Sequence, residues 1–203
     1  MPGPNGNGSK RKDAFREPDS RGNRYRIGMW VALASIAMMF TSLSSAYIVR
    51  SGTANDWVPL AMPRILLAST ALILLSSVTL EFARRKLKSS LHGEYAKYLL
   101  LTALLGVGFL ISQVIAWRQL AAQGIFVSSH PHSSFFYLLT GAHAVHLLGG
   151  LLALMFLLLR SRRKTLEPAL AAKRQATADA VTIYWHFMDG LWIYLFLLLF
   201  LWR

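Results

Sequence analysis

The chain has 203 residues, of which 54% are hydrophobic, with a mean hydropathy of +0.40 and a formal net charge of +13. So apolar a composition argues against an ordinary soluble domain and for a membrane protein, and the charge by itself does not make a nucleic-acid binder unless the cations share one surface. With no cysteine in the chain, disulfides, thiolate metal sites and cysteine nucleophiles are all excluded.

Residues 1–23 are rich in Gly, Pro, Asn and charge, a composition that cannot bury enough apolar surface to offset chain ordering; a disordered basic cytoplasmic tail is expected there. It does not read as a signal peptide, because the basic stretch is long and the apolar run after it too extended. Residues 24–203 read as a five-helix transmembrane domain. Its spans are expected near Ile27 to Val49, Leu60 to Ala83, Tyr95 to Ala116, Ser133 to Leu159 and Ala178 to Trp202, each able to cross about 30 Å of hydrocarbon. All of the 22 basic residues except Arg50, Arg64, Arg118 and Arg203 precede the first span, flank the second connection or fill the fourth. The positive-inside rule then gives a cytoplasmic N-terminus and an external C-terminus; a polybasic lipid patch is the other reading of the same charges.

The first span carries many small residues, and the Thr41 to Ser45 spacing would let two helices approach closely. Trp30, Tyr47 and, in the next loop, Trp57 suit the membrane interface. Pro59 and Pro63 precede the second span, which is rich in Ser and Thr and has Glu81 near Arg84 and Arg85, an expected interfacial ion pair. In the third span Gly106 and Gly108 predict a close helix crossing, and Gln113 is the strongly polar interior residue. His130 and His132 in the following loop flank Pro131; they could bind a metal only if further ligands converged, and are otherwise exposed loop histidines.

The fourth span places His143 and His146 on one helical face, and the fifth, YWHFMDGLW, does the same with His186 and Asp189. Ionisable side chains at this depth must face protein. Two roles fit the imidazoles: ligation of a haem or metal, or hydrogen bonds to polar groups on adjacent helices. Counting depth from the helix ends sets His146 and Asp189 at similar levels, roughly 20 and 16 Å in, which predicts a contact between them.

Tyr184, Trp185, His186, Phe187, Asp189 and Trp192, together with Gly141, His143, His146 and Gly149 or Gly150 on the preceding span, resemble two helix motifs of subunit III of the haem-copper oxidases. Arg26, Gly28, Met29, Phe40, Thr41, Ser76, Ser77, Thr79 and Gln113 add weaker support, and the resemblance covers residues 24–203. It is to the short five-helix bacterial form, without the two N-terminal helices that make one wall of the lipid cleft in longer members. Ile36 and Ala116 stand where the family has glutamates, so a proton relay through those positions is not expected.

The resemblance implies an accessory, non-catalytic subunit of a terminal oxidase in a bacterial inner membrane, cytochrome c oxidase before quinol oxidase. Haem and copper would lie in partner subunits I and II, and this chain would bind phospholipid and support proton uptake. Arg160 matches a family arginine that contacts a lipid phosphate, with simple interfacial anchoring as the alternative. No catalytic or metal-ligating residue is expected; His143, His146, His186, Asp189 and Gln113 are expected to make structural polar contacts between helices. The competing reading is a membrane cytochrome ligated by the three histidines. A secondary transporter would need broken helices or an internal repeat, and the sequence has neither.

Overall fold

The computed structural model describes residues 20–53, 63–89, 92–161 and 168–201, and all regular structure among them is helical. The five helices are α1 (Ser20–Thr53), α2 (Ile65–Lys88), α3 (His92–Ala122), α4 (Pro131–Ser161) and α5 (Pro168–Leu201). Each is long and apolar enough to cross a membrane, which makes this a multi-pass membrane protein.

The helices overrun the apolar runs that predict them, because an i to i−4 ladder continues until something breaks it. α4 begins at Pro131, where a missing N–H costs nothing. α5 begins at Pro168 rather than at Ala178, since the intervening segment is rich in alanine and helix-favouring though not apolar. α3 ends on Gly124, whose φ of 76° suits a residue without Cβ. There Gly124 N–H donates to the Ala121 carbonyl and Ile125 N–H to that of Leu120, both at 3.0 Å, so the last turn is capped. Ser20–Asn23, expected in the tail, form the first turn of α1; the rest of the tail, the Trp57 loop and Trp202 lie outside the described residues.

Four helices close a ring: α2 packs on α3, α3 on α4, α4 on α5, and α5 back on α2. α1 lies outside it, against α4 and α5. Lipid tails are as apolar as leucine, so the ring must be held by close packing and by hydrogen bonds. Close packing centres on Trp185 and Trp192 of α5, both fully buried among Phe109, Phe136, Leu139 and Leu147. The predicted crossing at Gly106 is there: a Cβ would stand 2.9 Å from Trp185 Cη2. Gly150 receives the other edge of the same indole, whereas Gly108 is less crowded. The close approach expected from Thr41 and Ser45 is not made within this chain, for both side chains are exposed on α1.

Candidate functional site

The polar side chains of the ring form a seam. Thr70, Ser77 and Arg84 recur every seven residues along α2, as do Asp179 and His186 on α5, a spacing that keeps a stripe on one helix face. α2 and α5 are antiparallel, so the stripes meet rung by rung. Arg84 Nε donates to Asp179 Oδ1 at 2.6 Å, Ser77 Oγ and His186 Nδ1 are 2.5 Å apart, and Trp192 Nε1 donates to Thr70 Oγ1 at 3.0 Å. Trp185 Nε1 donates to Ser76 Oγ at 2.9 Å.

The hydroxyls can serve two helices at once. Ser76 donates to the Ile73 carbonyl and Thr70 to the Leu66 carbonyl, leaving each oxygen's lone pairs for an indole on α5. The same logic joins the other pairs. Gln113 Nε2 donates to Ser69 Oγ at 3.1 Å and Thr79 meets Thr102 at 2.8 Å between α2 and α3. Trp117 Nε1 donates to Thr140 Oγ1 between α3 and α4, and the Tyr184 hydroxyl donates to the His146 carbonyl between α4 and α5.

Gln113 and His186 are thus both joined to α2, through Ser69 and Ser77. His143 is fully buried between the rings of Phe109 and Trp192, with centroids at 5.8 and 5.1 Å, and neither ring nitrogen has a hydrogen-bond partner among the described residues. The expected His146 to Asp189 contact is not formed. His146 Nδ1 bonds to the Ala142 carbonyl of its own helix at 2.8 Å, and its ring meets the edge of Phe40 on α1. Asp189 is buried with Ser77 of α2 as a neighbour, but that hydroxyl is engaged by His186, and neither carboxylate oxygen has a hydrogen bond among the described residues. The two side chains turn to different neighbours, His146 to α1 and its own helix and Asp189 to α2.

Glu81 forms the expected surface ion pairs, 3.2 Å to Arg85 and 3.6 Å to Arg84. Of the loop histidines, His130 is exposed as expected. His132 is instead buried in the first turn of α4, where its Nε2 lies 3.2 Å from the Tyr47 hydroxyl and ties α1 to the ring. Among the described residues no three His, Asp or Glu side chains gather as a metal site. Arg160 ends α4, half-buried, and makes no ion pair with any described residue. Sequence reasoning missed Arg84 with Asp179, Thr70, and the buried pair Arg174 and Tyr95; the seven-residue recurrence on α2 and α5 was the available signal for the first two.

An open, mostly apolar groove of about 340 Å³ runs between α1 and α5, lined by Ala37, Phe40, Thr41, Gly190 and Tyr194 among others.

The family model for cytochrome c oxidase subunit III matches residues 20–203. A probable cytochrome c oxidase subunit 3 of Nocardia farcinica is 35% identical, and one of Mycobacterium bovis 34%, each over 87% of both chains. The cytochrome c oxidase subunit 3 of Bacillus subtilis is 29% identical over 86% of this chain and 84% of its own. The match takes in every described helix and both of the histidine-bearing motifs, so this chain belongs to the cytochrome c oxidase subunit III family.

Proposed function

We propose that this chain is the accessory subunit of a haem-copper terminal oxidase fed by cytochrome c in a bacterial cytoplasmic membrane, with its N-terminus cytoplasmic and its C-terminus external. It carries no redox centre; it packs against catalytic subunit I and subunit II, which hold the haems and copper. The observation that carries this reading is the family match from Ser20 onward, across all five helices.

Two features of the surface support it. Ser77, half-exposed, and His186, exposed, stand on the outside of the α2 and α5 interface within the span, where hydrocarbon offers polar groups no partners and a neighbouring subunit does. The groove between α1 and α5 has the apolar lining that an acyl chain requires, and Arg160 at the basic end of α4 has the planar fork that binds a headgroup phosphate. In this role the chain holds lipid against the catalytic subunit and keeps its proton supply working through many turnovers.

Deleting the chain from an oxidase-producing strain tests the reading. The remaining complex is expected to start at normal speed, inactivate during turnover and contain less phospholipid. Unchanged lifetime and lipid content would overturn it.

A further inference from the structure

At the end of the bundle that carries most of the basic residues, two buried donors stand side by side without acceptors. Arg174 of α5 is 4% exposed, and its Nε, Nη1 and Nη2 make no hydrogen bond among the described residues. Its guanidinium carbon lies 5.5 Å from the centre of the Tyr95 ring on α3. Tyr95 is 1% exposed, and its hydroxyl likewise has no partner among the described residues.

An arginine that only anchors a helix end extends its charged head into water or headgroups. This one is turned into protein. The ring contact softens the charge but satisfies none of the guanidinium N–H groups. Among the described residues the acids of this end are engaged elsewhere: Asp179 and Glu81 with Arg84 and Arg85, and Glu94 with Lys97. Lys86, Lys88, Arg160 and Lys173 sit at the same helix ends and add charge of the same sign, a field that draws in an anion. Depth narrows the anion further. Arg174 is in the first turn of the apolar run that starts at Ala172, and Tyr95 in the first turn after Gly93, so both stand at the ends of their candidate spans, where a membrane has headgroup phosphates rather than the middle of its acyl chains.

The geometry points to a phosphate site in which the guanidinium of Arg174 and the hydroxyl of Tyr95 hold the phosphodiester of an anionic phospholipid at the end of the ring, where the Arg174 side chain reaches across from α5 to Tyr95 of α3. It rests on the lipid-holding role proposed above and adds to it a headgroup site separate from Arg160. The guanidinium fork can grip two phosphate oxygens while the phenol donates to one. Basic pockets between membrane helices recognise anionic headgroups by this chemistry.

The test uses the intact oxidase complex, purified in mild detergent, with retained phospholipid measured by native mass spectrometry and phosphorus analysis. Arg174→Gln is expected to remove roughly one retained anionic phospholipid per complex. Tyr95→Phe, which deletes only the hydroxyl, and Arg174→Lys, which keeps the charge but not the fork, are expected to weaken rebinding from phosphatidylglycerol vesicles about tenfold, with no change for phosphatidylcholine vesicles. Unchanged retention in all three variants of an assembled complex would overturn this site while leaving the subunit role intact. Equal lipid retention in wild type and variants, with inorganic phosphate binding lost in Arg174→Gln, would assign the donors to free phosphate and overturn the lipid ligand. Failure of the unaltered chain to purify with any oxidase would count against the subunit role itself.

Discussion

α1 and the four-helix ring use the same residue types to opposite ends. In α1, Ser35, Thr41, Ser51 and Thr53 donate to carbonyls of their own helix, and only 17% of its apolar window is buried. In the ring, where the α3 window is 44% buried, Ser69, Thr70 and Ser76 also bond back to their own helix, yet each accepts a hydrogen bond from a neighbour as well. A hydroxyl in a membrane helix is thus a link only when a polar group of another helix stands opposite, an N–H donor for Ser69, Thr70 and Ser76 and a second hydroxyl for Thr79. α2 to α5 form a self-stitched unit; α1 is held at its loop end by Tyr47 and His132 and leaves most of its surface for other molecules.

The largest expected effect that would break this contrast is Trp185→Ala. It removes one of the two largest fully buried side chains among the described residues together with its bond to Ser76, and should cost about 3–5 kcal/mol in the thermal unfolding of the detergent-solubilised complex. A loss below about 1 kcal/mol would mean that the ring is not centred there. Gly106→Val comes next: with Trp185 and Leu151 already at contact distance of any added carbon, a penalty of about 1–3 kcal/mol is expected. Gly190→Ala is its control on the lipid side of α5, where nothing lies within 4 Å, and should change stability by less than about 0.5 kcal/mol. Equal penalties at the two glycines would erase the distinction between inside and outside.

Smaller effects sharpen the comparison. A double-mutant cycle of Ser77→Ala and His186→Phe should give a coupling of about 0.6 kcal/mol, the usual worth of an interhelical hydrogen bond in a membrane. Strict additivity would mean that the contact contributes nothing. Tyr47→Phe should cost about as much and should act on α1 alone, read as faster amide exchange in α1 with α2 to α5 unchanged. Exchange that rises equally in all five helices would show α1 to be part of the cooperative core.

Much of this was legible in the sequence. Apolar runs fix the number of helices because the membrane imposes their length, and the histidine-bearing motifs of the last two helices carry the family. Gln113 and Gly106 were found because a lone amide or a glycine in a span has few other uses. What stayed hidden was rotation and choice of partner. Equal depth suggested that His146 would meet Asp189, but azimuth decides contact, and it turns His146 to Phe40 and Asp189 toward α2. His132 looked like a loop residue because Pro131 resembles a break, although proline is also at home in the first turn of a helix. Arg174 was one cation in a basic run, and nothing in its neighbours along the chain says that it is buried against Tyr95.

Tagging this chain for purification from native membranes in mild detergent tests most directly the proposal that it is one component of a larger oxidase. It should elute in fixed proportion with a catalytic subunit that shows haem absorbance and bound copper. Elution of the tagged chain alone, with the oxidase activity in other fractions, would contradict it.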